Sequence, residues 1–217
     1  MTDFATRRRM MVDTQVRPSD VTEFPIIESM LTVPREAFVP PEQVEAAYAG
    51  DHVDLWPGRQ LLDARLFAKM LEVLDLGNDD LVLDIGAGMG YSSAVIARIA
   101  EAVVAVEDDE TQVSEAQSLL TENHSDNVIL HTGALAAGAP EHGPYDVIIV
   151  EGGIETLPVA ISDQLKEGGR IVCIFVENAL GTVKLGHKRD GQIVWRHAFN
   201  GLANILQDFK KETEFAL

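Results

Sequence analysis

The chain is poor in cysteine, in basic residues and in long apolar runs, and each shortage removes a class of function. One cysteine, Cys173, occurs in 217 residues, so neither a disulfide framework nor a cysteine-based zinc site can form within the chain. It lies in the apolar run RIVCIFV, where a buried structural thiol is expected. Lys and Arg number 17 against 35 Asp and Glu, a net charge of −18. Such a surface repels phosphate backbones, so no nucleic-acid partner is expected. The one basic cluster, Arg7-Arg8-Arg9, reads as a solvated or salt-bridged helix end. No stretch reaches the roughly 18 apolar residues of a membrane span, and MMVDTQVRP after the arginines is no signal-peptide core. No membrane association and a cytoplasmic location are the expectation. The six histidines, scattered from His52 to His197, show no metal-ligand spacing, and no metal is expected. Repeats, low-complexity tracts and linkers are also missing, which leaves a single domain over 1–217.

Within it, residues 1–60 read as a helical segment with a loop on the substrate side, and 61–217 as the core. FATRRRMMVDTQV forms a helix ending before Pro18. FPIIESMLTV forms a second, with Pro25 in its first turn and a stop before Pro34. DHVDLWPGRQLL looks irregular. A third helix, about Asp63 to Leu76, carries Leu66, Phe67, Met70, Leu71 and Leu74 at helical spacing. From residue 81 the pattern changes. LVLDI, AVVAVE, NVILH, YDVIIVE and GRIVCIF are short continuous β-branched runs separated by helical segments, the pattern of a parallel sheet covered on both faces. TVKLGHKRDGQIVWRHAF then places two strand-like runs around Asp190-Gly191, a hairpin signal. The expected fold is α/β and Rossmann-like: a mostly parallel sheet ending in an antiparallel hairpin, with helices on both faces and the N-terminal helices near the carboxyl ends of the strands.

Ligands of such sheets sit beyond those carboxyl ends, which directs attention to residues 84–91, 107–109, 133–135 and 151–153. The first strand runs into Gly86-Ala87-Gly88-Met89-Gly90, one residue short of the G-x-G-x-x-G dinucleotide fingerprint. Asp84, two positions earlier, would repel a pyrophosphate but not an ammonium or a sulfonium. Glu107 ends the second strand 21 residues after Gly86, the distance at which an acid accepts hydrogen bonds from both ribose hydroxyls. Alone, Asp84 also reads as a helix cap and Glu107 as a solvated strand end. Together on one βαβ unit they suit S-adenosylmethionine, a cationic nucleoside without phosphates.

Longer stretches then match in order. SMLTVPREAFVPPEQVEAAYAGD, VLDIGAGMGYSSAVIA, VVAVEDD, APEHGPYDVIIVEGG and LPVAISDQLKEGGRIV resemble the protein-L-isoaspartate (D-aspartate) O-methyltransferase family, over most of the chain. The resemblance implies methyl transfer from S-adenosylmethionine to the free carboxylate of an isoaspartyl or D-aspartyl residue in a damaged protein or peptide. S-adenosylhomocysteine is the other product, and the ester collapses to a succinimide so that repair can follow. It also implies a donor site of Asp84, Gly86, Ala87, Gly88, Gly90, Tyr91, Glu107, Asp108, Ala134 and Leu135.

Three departures stand out. The family's Gly-Gln-Thr-Ile-Ser signature, whose hydroxyls face the substrate carboxylate, is here Gly58-Arg59-Gln60-Leu61-Leu62, and Leu62 cannot donate a hydrogen bond. Gly-Asp-Gly, whose acid reads the adenine amino group, is here Gly133-Ala134-Leu135. Thr-Ala-Ala is replaced by Glu151-Gly152-Gly153. The closing segment FNGLANILQDFKKETEFAL looks longer than the family's and partly helical, a partner surface or a lid over the site. Methylating a carboxylate needs no general base, because the nucleophile is ionised near neutrality. Lost hydroxyls therefore weaken orientation rather than remove a proton carrier. Arg59 or Gln60 could take over the carboxylate, Arg59 the better through its bidentate fork; an arginine pointing into water is the competing reading. A charged Glu151 would repel an isoaspartyl carboxylate and favour another acceptor, and a helix cap or a surface acid is its plainer role. Three functions remain open: the isoaspartyl methyltransferase, a methyltransferase with a changed acceptor, and a donor-binding protein without turnover. Oligomeric state is not readable.

Overall fold

A computed structural model describes residues 3–211. Helix α1 (Phe4–Met11) starts on Asp3, whose carboxylate accepts from the Thr6 amide, and runs on through a π turn, Val12–Val16, that ends before Pro18. Helix α2 (Phe24–Thr32) opens with Pro25 in its first turn and stops before Pro34. Arg7 and Arg8 are salt-bridged to Glu45 and Glu36. Residues 35–46 form two 3-10 turns.

The stretch expected to be irregular is instead a small hairpin, β1 (Val53–Trp56) and β2 (Arg59–Leu61). Pro57 and Gly58, the latter at φ 86°, supply the turn chemistry that closes it. Helix α3 (Ala64–Leu74) begins on Asp63, which caps it through the Leu66 amide, and buries Leu66, Phe67, Met70, Leu71 and Leu74 as its periodicity requires.

The core is a seven-stranded sheet. Its strands are β3 (Leu81–Ile85), β4 (Ala102–Glu107), β5 (Val128–Thr132), β6 (Tyr145–Ile154), β7 (Leu165–Glu177), β8 (Leu180–Arg189) and β9 (Gln192–Asn200). In space they run β5-β4-β3-β6-β7-β8-β9, with β3 to β7 parallel and β8 and β9 antiparallel. Asp190 and Gly191, at φ 51° and 75°, make the tight turn between the last two. Helix α4 (Tyr91–Ile96) follows β3, α5 (Glu110–Glu122) follows β4, and α6 (Val159–Asp163) lies between β6 and β7.

Chain order reverses between β3 and β6, so the carboxyl ends of those two strands flank the switch-point crevice where ligands of open α/β sheets collect. The N-terminal segment closes over that end: Phe38 and Phe67 pack on the Tyr91 ring at 6.0 Å. The closing segment is not helical as expected. After β9 it runs extended, pairs with β6 through Gly153 N–Asn204 O (2.8 Å) and Leu206 N–Gly153 O (2.9 Å), and makes one 3-10 turn at Gln207–Phe209. The rest of that expectation, 212–217, lies outside the described residues. No helix among the described residues is long and apolar enough to cross a membrane.

Candidate methyl-donor site

The turn after β3 folds as it does because three of its residues, Gly86 at φ 78° among them, stand where a side chain would be strained. Gly88 has φ 60° and Gly90 φ 95°, both left-handed. Gly90 caps α4, and a Cβ on it would press on Leu120 at 3.2 Å. A Cβ on Gly88 would lie 2.6 Å from Leu55 Cδ1. Ala87 is buried in the same turn.

Glu107, at the end of β4, is fully buried and faces this turn. Its Oε2 accepts from the Gly88 amide at 3.0 Å, and its Oε1 from the Asp108 amide at 3.1 Å. A solvated strand end is thereby ruled out. The third contact is unexpected. Arg59, also buried, donates from Nε to Glu107 Oε1 at 2.8 Å and from Nη2 to Asp108 Oδ1 at 2.9 Å. The arginine does not point into water. Burial pushes the Glu107 carboxyl up, against the pull of the Arg59 cation.

Asp84 turns inward rather than toward a ligand's phosphates. Its Oδ2 accepts from Ser92 Oγ (2.7 Å) and Ser93 Oγ (2.6 Å), while Oδ1 has no partner. It is thus tied to the first turn of α4 by hydroxyls, not by the backbone amides of a cap. Burial pushes its pKa up to about 6, with the two serines opposing. Glu151, at the neighbouring end of β6, is 5% exposed and its Oε1 is unpartnered; it is no surface acid. Burial first, and the Asp84 charge second, raise its pKa well above the ordinary carboxylate range, with Arg35 pulling the other way. The serines favour ionised Asp84, and among the described residues no hydrogen bond reaches the Glu151 carboxyl, so of the two acids Glu151 holds a proton the more strongly. The upward shift weakens the repulsion expected of a charged Glu151.

The remaining residues divide. Tyr91 packs its ring in the core beneath the Arg35 guanidinium, 5.0 Å from the ring centroid. Gln60 is drawn to its hairpin neighbour Asp54 at 2.7 Å rather than into the site. Leu61 and Leu62 are buried among the core residues. Leu62 contributes its carbonyl, which accepts from Arg35 Nη2 at 2.7 Å. Gly133 donates its amide to the Glu107 carbonyl at 3.0 Å, which brings Ala134 and Leu135 alongside; Leu135 Cδ1 lies 3.7 Å from a Cβ built on Gly86.

Sequence reasoning missed Leu55, Leu206, Arg35 and the two serines. Leu206 from the closing segment lies over Gly86 and Gly152, 2.7 Å from a Cβ on the latter, as a lid would. The Ser92-Ser93 pair opening a helix beside an acid was the available signal. His131, Glu141 and His142 also converge, their ligating atoms within 4.8 Å of one another. His131 Nδ1 already pairs with Glu141 at 3.1 Å, and Glu141 is exposed.

A family model described as protein-L-isoaspartate(D-aspartate) O-methyltransferase matches residues 7–201. The protein-L-isoaspartate O-methyltransferase of Pelotomaculum thermopropionicum is 36% identical over 202 residues, covering 93% of this chain and 84% of its own. That of Roseiflexus castenholzii is 34% identical over 170 residues, 78% of each chain. A solved protein-L-isoaspartate O-methyltransferase superposes with TM-score 0.81 at 26% identity, over 91% of this chain and 65% of that one. A Plasmodium falciparum structure, described as such an enzyme in complex with S-adenosyl-L-homocysteine, superposes with TM-score 0.80 over 96% of this chain and 100% of its own; at 18% identity it is a likeness of fold. The chain belongs to the protein-L-isoaspartate(D-aspartate) O-methyltransferase family.

Proposed function

We propose that this protein transfers a methyl group from S-adenosylmethionine to the free carboxylate of isoaspartyl or D-aspartyl residues in damaged proteins and peptides. The observation that carries the donor half is Glu107, a buried carboxylate pinned to the Gly88 amide beyond the ends of β3 and β4. The residues present fit that donor. Gly88 stands at φ 60°, where a side chain is strained, the carboxylates of Asp84 and Glu107 suit a cation without phosphates, and Leu135 offers an apolar wall. Glu107 would accept from the ribose hydroxyls and the turn 86–90 would cradle the amino-acid end. When bound, the donor supplies a methyl group on a sulfonium: the acceptor oxygen forms its bond to carbon as the S–C bond breaks, and the electron pair returns to sulfur.

The chain's own task is to orient and to exclude water, since no proton has to move. The raised Glu151 pKa lessens its repulsion of an anionic acceptor and so weakens the main reason to look for a different one. Leu55, Leu206 and Tyr91 supply apolar cover. A second reading, donor binding without turnover, draws on Leu62, a buried side chain with no hydroxyl where the family's signature places a serine facing the acceptor.

The test uses S-adenosylmethionine carrying a labelled methyl group and paired peptides differing only in isoaspartate or aspartate at one position. Base-labile methanol from the isoaspartyl peptide alone is the expected result. No label above background in either peptide would leave the second reading.

A further inference from the structure

Arg59 is the most unusual group in the molecule: a guanidinium 6% exposed, in the cradle of an enzyme whose donor is itself cationic. It holds Glu107 at 2.8 Å and Asp108 at 2.9 Å, and its Nη1 reaches the Gly58 carbonyl at 3.3 Å. Both Glu107 oxygens are therefore engaged, one with Gly88 and one with Arg59 and Asp108. Oε1 already accepts two hydrogen bonds, so a ribose that takes both oxygens of that carboxylate competes with the arginine.

The same hairpin carries a second obstruction. Leu55, at the bulge of β1, lies against Gly88, and Arg59 opens β2. The hairpin is a separate two-stranded sheet of three register pairs. Such a unit has little stability of its own; the Gln60–Asp54 bond closes it internally, while the Arg59 ion pairs tie it to the core. Val53 and Leu61 anchor the hairpin in the core, so the motion required is of the Leu55 and Arg59 side chains turning out of the cradle.

Leaving has a condition. Separating a buried ion pair strands two charges unless each finds a new partner. The ribose hydroxyls can satisfy Glu107 but bring Arg59 no negative charge, and the donor's own α-carboxylate belongs to the amino-acid end held by the turn 86–90, away from the ribose. The other ligand of the reaction brings that charge, and its carboxylate matches the guanidinium fork. Donor alone frees Glu107's partner at a loss, and acceptor alone strips Glu107 of its cation. Only the two together leave both buried groups partnered, Glu107 by hydroxyls and the Gly88 amide and Arg59 by the acceptor carboxylate, while Asp108, 44% exposed, returns to water.

We propose that Arg59 exchanges partners during the reaction cycle, from Glu107 and Asp108 in the free protein to the acceptor carboxylate in the ternary complex, so that donor and acceptor each tighten the other's binding. This rests on the reading of the site given above. By linkage the two effects are one factor. Arg59 is then a positioning residue that makes donor capture conditional on an acceptor.

The experiment is calorimetric titration of S-adenosylhomocysteine, which cannot turn over, into the wild-type protein with and without saturating isoaspartyl peptide. The matched aspartyl peptide, Arg59→Gln and Arg59→Lys complete the set. The isoaspartyl peptide should tighten S-adenosylhomocysteine at least about 5-fold in the wild type, the lower end of ordinary coupling, and the aspartyl peptide should not. S-adenosylhomocysteine should tighten the peptide by the same factor. Arg59→Gln should bind S-adenosylhomocysteine alone at least about 5-fold more tightly than wild type, with no coupling left, and Arg59→Lys should keep part of it. A structural role alone would not produce that pattern. Should Arg59→Gln fail to fold, the wild-type coupling decides. S-adenosylhomocysteine binding that ignores the peptide in the wild type, or that weakens in Arg59→Gln, overturns the exchange while leaving the donor site intact. Absence of S-adenosylhomocysteine binding to every protein with every peptide overturns the donor site itself.

Discussion

Replacing Glu151 by glutamine tests the protonation state on which acceptance of an anionic substrate depends. Glutamine copies the neutral carboxylic acid in size, so at low pH the two proteins should be nearly equally stable. In the wild type the Glu151 pKa is raised by burial and by Asp84. A folded-state pKa above the unfolded one gives stability that is full below the unfolded value, about 4.3 for Glu, and is lost as pH climbs toward the folded value. The slope of that loss is at most roughly 1.4 kcal/mol per pH unit for one proton. Asp84, with a pKa of about 6, works in the same direction and window. His187 works oppositely: burial lowers its pKa, so its contribution grows as pH rises toward 6.5. His187 is common to both proteins and cancels in the difference. Urea denaturation from pH 5 to 8, with m-values checked for constancy, should give wild-type and Glu151→Gln curves that diverge with pH, the variant becoming relatively more stable. Parallel curves would mean that Glu151 is ionised in the folded protein. Its charge would then repel an acceptor carboxylate, and the acceptor assigned above would be wrong.

Three further outcomes follow from the packing. Gly88→Ala, with φ 60° and Leu55 Cδ1 at 2.6 Å from the new Cβ, should cost about 1–3 kcal/mol of stability and weaken S-adenosylhomocysteine binding by tenfold or more; unchanged binding by calorimetry would separate this turn from the donor. Leu206→Ala removes a side chain 2% exposed over Gly86 and Gly152 and should cost about 2–5 kcal/mol in denaturant titration; a neutral result would show that the closing segment does not cover the crevice. Cys173 is fully buried and burial pushes its thiol pKa up, so Ellman's reagent should leave the folded protein untouched and titrate one thiol in urea; rapid native labelling would contradict the packing.

The sheet was legible because each parallel strand is a continuous apolar β-branched run, and because Asp190-Gly191 has one dominant use between strands. The β1–β2 hairpin was not. Its strands are four and three residues long, too short for alternation to register, although Pro57-Gly58 carried the turn signal. The offset of Asp84 and Glu107 from the glycines, a local relation, is what singled these two acids out in the sequence. Arg59 and Glu107 are 48 residues apart, and nothing local in either segment encodes their pairing. The upward shift of the Glu151 pKa likewise comes from burial and from Asp84, both consequences of tertiary structure.

A crystal structure grown with S-adenosylhomocysteine and an isoaspartyl peptide tests the central claim most directly. The account predicts the ribose hydroxyls on Glu107, the Leu55 side chain withdrawn from Gly88, and Arg59 turned from Glu107 to the peptide's carboxylate. Ligand density elsewhere, or Arg59 still paired with Glu107 beside a bound nucleoside, would contradict it.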